Sequence, residues 1–204
     1  MIEIALAMTV ALGVCALCAV TAHEVARHAR IRIRFAARGG VAAIALAVAG
    51  SAFFANGRAG WTHAAAICVL CACAVCAVTD AQAGYVFDAI TYPSLAAALA
   101  CSMLAGTFEA ALLGVLCAGG PLLALYAISR GRGLGLGDVK LAACIGAAFG
   151  ATSAAIAIGA AFVLGGAWGA WLLLSRRASR GTPIRFAPYI FAGMLLALLH
   201  GRLL

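Results

Sequence analysis

Acid is scarce in this chain. Its 204 residues hold six carboxylate side chains, Glu3, Glu24, Asp80, Asp88, Glu109 and Asp138, against fourteen Lys and Arg, and charged residues make up only 10% of the whole. Long polar stretches are missing too. Hydrophobic residues account for 66% and mean hydropathy is +1.12, whereas a soluble domain is about 45–50% apolar and about 25% charged. Apolar runs of the roughly 17–25 residues that cross a hydrocarbon core fill nearly the whole length. The composition reads as an integral membrane protein with the lipid bilayer as its surroundings, leaving no room for a separate soluble domain.

Cysteine is absent from every loop. The nine cysteines lie in apolar runs, including the C-x-x-C pairs Cys15/Cys18 and Cys73/Cys76. A zinc ribbon needs its pairs in a polar, water-accessible loop, so these read as small packing residues, and no metal or cofactor is expected. The N-terminal Met1-Ile2-Glu3-Ile4 lacks the positive region of a secretory signal, so the first run reads as a retained anchor. The net charge of +8 does not point to nucleic acid, because its cations sit in short loops between runs, where membrane topology accounts for them. No charge falls near the middle of a run, where it would cost roughly 2.5–3.5 kcal/mol on insertion scales.

What is present is a series of apolar segments. The first spans Ile2 to Val20 and is followed by a basic, partly surface-helical segment, Thr21 to Gly40. The second, Val41 to Ala55, ends in the turn Asn56 to Gly60. The third, Trp61 to Thr79, stops at Asp80, and an amphipathic stretch from Ala81 leads to a fourth beginning at Pro93, a residue suited to a first helical turn. Gly106 to Glu109 makes a tight hairpin between the fourth run and the fifth, Ala110 to Ile128, in which Gly119-Gly120-Pro121 predicts a kink rather than an end. The run from Val139 to Leu174 is too long for one helix and turns near Gly150 to Ser153. A basic loop, Ser175 to Arg185, precedes the last run, Phe186 to Leu199. The fold class is therefore all-α, a polytopic membrane bundle of about eight transmembrane helices. Twelve of the fourteen Lys and Arg fall in the loops after the first, fifth and seventh runs. The positive-inside rule makes that side cytoplasmic, puts both termini outside, and brings the Asp80 loop to the cytoplasmic face.

This layout narrows the chemistry to helix ends. Asp80 closes the third run and Asp138 opens the sixth, both at the cytoplasmic boundary. Two carboxylates brought close hold one shared proton, so one member can activate water while the other protonates a leaving group. Blander readings stand beside this one. Asp138 occupies a place where an N-cap belongs, worth about 1 kcal/mol without catalysis, and Asp80 could cap a short helix from Ala81 onward. The glycines of Gly131 to Lys140 either let another chain approach closely, forming a mobile lip, or make an ordinary flexible loop.

Gly135-Leu136-Gly137-Asp138-Val139-Lys140 resembles the G-x-G-D-V-K signature of type IV prepilin peptidases, membrane aspartyl proteases. The stretch from Asp80 through Gly84-Tyr85-Val86-Phe87-Asp88 to Thr91 resembles their other catalytic segment, and Pro183-Ile184-Arg185-Phe186-Ala187-Pro188-Tyr189 is similar to their Ile-Pro-Phe-Gly-Pro near the last helix. The resemblance implies that Asp80 and Asp138 are the catalytic pair. Gly135, Gly137, Lys140 and Asp88 would be supporting motif residues, and Lys140 is either a substrate-side anchor or a snorkelling lysine. It implies cleavage of the short basic leader of prepilin or pseudopilin substrates at the cytoplasmic face of a bacterial inner membrane. The whole chain, 1–204, would be one peptidase domain, with 1–60 as its N-terminal helices and 61–204 as its catalytic part. Phe87 stands where the family has proline, and Arg185 and Ala187 alter the last motif, which bears on substrate preference. Long members carry two C-x-x-C pairs after the first helix and methylate the product. The loop here has no cysteine, so N-methyltransferase activity is not expected, and the chain resembles the short peptidases of Flp/Tad-type pili.

Two other readings compete. A presenilin or signal-peptide-peptidase-like protease would also use Gly135-Leu136-Gly137-Asp138, but Thr79 precedes Asp80 where that group has tyrosine, and no Pro-Ala-Leu motif follows. A transporter or assembly scaffold would place its acids near the midplane in broken helices.

Overall fold

The computed structural model describes residues 60–177, 179 and 184–199. The first two apolar runs, the basic segment between them and Pro183 lie outside the described residues. Those described form five helices: α1 Trp61–Ala83, α2 Asp88–Leu104, α3 Phe108–Ser129, α4 Leu136–Leu174 and α5 Ala187–Leu199. No strand occurs among them. Three, α1, α3 and α4, are long and apolar enough to cross a membrane.

α1 is the most deeply buried of the described membrane-length helices. It is apolar on all sides and buried nearly throughout, as expected of a helix surrounded by others, and its Cys68, Cys73 and Cys76 are fully buried among alanine, valine and leucine. α3 lies at the periphery and exposes Leu112, Leu113, Leu116, Leu123 and Ile128. Its packing partner is chiefly α4, and the contact depends on two glycines, because a Cβ on Gly114 would overlap the Gly146 carbonyl and one on Gly146 the Gly114 carbonyl. Small residues at a crossing are how membrane helices reach such short separations.

Two expected boundaries move. α1 does not stop at Thr79 but continues through the good helix formers Ala81, Gln82 and Ala83, closing at Gly84, whose φ is 72° and whose N–H bonds to the Asp80 carbonyl at 2.8 Å. Asp80 therefore caps no helix running on from Ala81. α2 begins at Asp88 rather than Pro93, which lies inside it. An acidic residue in the first turn favours that start through the helix dipole, at the cost of the one hydrogen bond that Pro93 cannot donate.

The other turns fall where the sequence places them. Ala105, Gly106 and Thr107 separate α2 from α3, which takes in Phe108 and Glu109 of the expected hairpin, and Gly119-Gly120-Pro121 does not end α3. Within α4 the helical geometry breaks at Gly150, φ 74° and ψ 177°, dividing it into 136–149 and 151–174. The second half passes the start of α5, where Phe162 packs on Phe186 with ring centroids 5.0 Å apart. That return sets the last helix against the end of α1.

Candidate active site

Asp80 sits in the final turn of α1 with its side chain turned into the bundle, 7% exposed. Its Oδ2 accepts a hydrogen bond from the backbone N–H of Ala187 at 3.1 Å. Ala187 is the first residue of α5, where N–H groups have no partner inside the helix and the dipole presents its positive end. α5 thus directs its N-terminus at the Asp80 carboxylate. Arg185, two residues earlier, donates from its guanidinium to the carbonyl of Ala81, in the same closing turn of α1, and its charge lies within electrostatic range of Asp80.

Asp138 lies in the first turn of α4 and is 8% exposed. The expected N-cap position is corrected: Gly135 is the N-cap, and Asp138 stands three residues further in, reaching back so that its Oδ2 accepts the Gly135 N–H at 3.3 Å. This is the returning half of a capping box, so a capping role survives in a different form. Asp80 and Asp138 lie within range to interact as charges. With each Oδ2 engaged by a backbone N–H, each Oδ1 is left without a hydrogen-bond partner among the described residues.

Gly137 explains why glycine stands beside Asp138. A Cβ there would come within 2.6 Å of the Val86 Cβ, so the 84–87 segment leaving α1 is seated directly on the start of α4. The close approach anticipated for another chain is made by the protein's own Val86. Phe87 is buried, and its carbonyl accepts from the Ile90 and Thr91 N–H groups as α2 starts.

Lys140 and Asp88 form a second link between the same helices. Lys140 Nζ is 2.6 Å from Asp88 Oδ1 and 4.7 Å from the centre of the Tyr92 ring. Lys140 is thus engaged by α2 rather than extended into solvent. The pair ties the N-terminus of α2 to that of α4, within one turn of Asp138.

Sequence reasoning missed the parts supplied by the approach to α5. Ala187 contributes through its backbone, which no side-chain pattern reports, and Arg185 was read only as a departure bearing on substrate preference. The available signal was the Pro188 helix start directly after a basic loop on the face that carries Asp80. Among the described residues, no group of three or more His, Cys, Asp or Glu could hold a metal ion.

Comparisons with known proteins bear on the same stretch. A sequence model of the type IV leader peptidase family matches residues 67–170, a span holding both aspartates. A prepilin leader peptidase/N-methyltransferase of Bacillus subtilis (strain 168) is 40% identical over 109 residues, 53% of this chain and 43% of that protein. The matched stretch is thus less than half of that relative's length. No solved structure matches significantly.

Proposed function

The chain belongs to the type IV leader peptidase family, and we propose that it removes the short basic leader from prepilin or pseudopilin precursors, with Asp80 and Asp138 as the catalytic pair. The observation that carries this reading is a pair of buried carboxylates within charge-interaction range, one from the last turn of α1 and one from the first turn of α4, each with one oxygen anchored by a backbone N–H. Buried acids are costly unless paired or hydrogen-bonded, and two within interaction range hold a proton between them.

Each carboxylate accepts one backbone N–H at the start of a helix; Asp80 has the Arg185 charge nearby as well, and is the ionised member. Its carboxylate takes a proton from a water molecule as the water oxygen bonds to the scissile carbonyl carbon, while protonated Asp138 gives its proton to the carbonyl oxygen. Collapse of that tetrahedral species breaks the C–N bond, and the proton now on Asp80 goes to the leaving nitrogen. The hydroxyl proton of the tetrahedral species returns to Asp138, so one water is consumed and the pair is restored.

The further parts of the proposal concern topology. Eight crossings, with both termini outside and the aspartates at the cytoplasmic face of a bacterial inner membrane, are supported by the distribution of Lys and Arg and by the break in α4 at Gly150. Cleavage alone is proposed, without methylation of the product.

Co-expression of the protein with a prepilin and a gel-shift assay of leader removal tests the reaction. Asp80→Asn and Asp138→Asn are each expected to abolish processing. Intact cleavage by both variants overturns the assignment of the pair.

A further inference from the structure

Two contacts join the segment before α5 to the closing turn of α1. One is the Ala187 N–H on Asp80 Oδ2 at 3.1 Å. The other is the Arg185 guanidinium on the Ala81 carbonyl. Ala81 is among the last carbonyls of α1, which have no partner within the helix and carry the negative end of its dipole. A cation that hydrogen-bonds there is favoured twice, by the dipole and by the bond itself. Arg185 is exposed whereas Ala187 is fully buried. Arg185 therefore reaches from the surface over the end of α1 while the chain behind it passes inward to Asp80.

We infer that Arg185 is a positioning residue: by clasping the Ala81 carbonyl it holds the start of α5 against α1 and so keeps the Ala187 N–H on the Asp80 carboxylate. The guanidinium suits this task because its donors are fixed in a plane and can hold a carbonyl while the charge remains in solvent. A lysine offers a point charge on a flexible stem and serves less well. Asp80 has little else to fix its rotamer, since its Oδ1 is unengaged among the described residues. Loss of the clasp lets the carboxylate and the α5 N-terminus separate, and small displacements of a reacting group cost rate steeply.

The clasp concerns the protein without substrate. Only its kinetic consequence rests on the peptidase reading above, so the test has two readouts. In the full-length protein in detergent, hydrogen exchange at the Ala187 amide is measured for the parent, Arg185→Gln and Arg185→Lys. The expected result is exchange about tenfold faster or more in Arg185→Gln and an intermediate rate in Arg185→Lys, with α1 protection retained. In the prepilin assay, Arg185→Gln is expected to lower kcat by about tenfold or more with KM changed less than twofold, and Arg185→Lys to recover part of it. Unchanged exchange at Ala187 in Arg185→Gln overturns the clasp whatever the enzyme does. A rise confined to KM overturns it as well, because Arg185 would then be meeting substrate rather than aligning Asp80. Cleavage that survives Asp80→Asn sinks the peptidase reading instead, and the exchange result still decides the clasp.

Discussion

The backbone N–H of Ala187 meets the carboxylate of Asp80 at 3.1 Å from 107 positions further along the chain. The first residue of the last helix thus completes the surroundings of an acid at the end of the first described one. Because the donor is main chain, proline removes it, and proline is well suited to the first position of a helix. Ala187→Pro should therefore leave α5 helical by circular dichroism while deleting the bond. A hydrogen bond to a charged group is worth about 1.5–3 kcal/mol, so kcat/KM for leader removal should fall roughly ten- to a hundredfold. Ala187→Ser, which keeps the N–H, should retain most activity.

Gly137 and Val86 offer a test with a specific rescue. A Cβ at 137 would stand 2.6 Å from the Val86 Cβ and 3.1 Å and 3.2 Å from its two methyl carbons. Gly137→Ala should cost about 1–3 kcal/mol through overpacking, read as a lower thermal midpoint, together with a loss of cleavage as the start of α4 is pushed away. Val86→Ala leaves the offending Cβ in place and should rescue little. Val86→Gly removes it and should recover both stability and activity in the double variant.

Hydropathy and charge made much of this architecture legible before any coordinates. The hairpin at Gly106, the turn at Gly150 and the course of α3 through Pro121 follow from glycine placement and the lengths of apolar runs. What misled was polarity read as a helix end. Asp80, Gln82 and Asp88 suggested an amphipathic stretch lying between the third and fourth runs, yet α1 continues to Ala83 and α2 begins at Asp88, because Gly84 can adopt the positive φ that closes one helix and Asp88 suits the first turn of the next. Both aspartates were legible as helix-end acids, but their partners were not. The Ala187 amide has no side-chain signature, and the Gly135 N–H became the partner of Asp138 only once the helix was known to start two residues before it.

Lys140 and Asp88 lie 2.6 Å apart, but their side chains are 23% and 60% exposed. A pair so placed contributes about 0–1 kcal/mol, and its role is alignment of α2 with α4 rather than chemistry. Asp88→Asn should accordingly reduce leader removal by less than about tenfold, whereas Asp80→Asn should leave no measurable product in the same assay. Raising the salt concentration should mimic part of the Asp88→Asn effect in the parent protein. If Asp88→Asn is as inactive as Asp80→Asn, Asp88 belongs in the reaction and the pair has been misassigned.

The contact between α3 and α4 separates two kinds of helical glycine. A methyl group on Gly146 would overlap the backbone of Gly114, whereas one at Gly120 would meet nothing within 4 Å. Backbone cannot move aside as a side chain can, so Gly146→Ala must drive the two helices apart along their shared face. It is expected to destabilise the protein by about 1–3 kcal/mol, seen as a lower denaturation midpoint in detergent and as greater protease sensitivity in the loop between α3 and α4. Gly120→Ala changes only intrinsic helix preference, worth up to about 1 kcal/mol in favour of alanine, and should leave the midpoint level or slightly higher. The same substitution at Gly120 in α3 and at Gly146 in α4 should thus act in opposite directions. A Gly146→Ala protein as stable as Gly120→Ala would mean that α3 and α4 do not meet at Gly114 and Gly146.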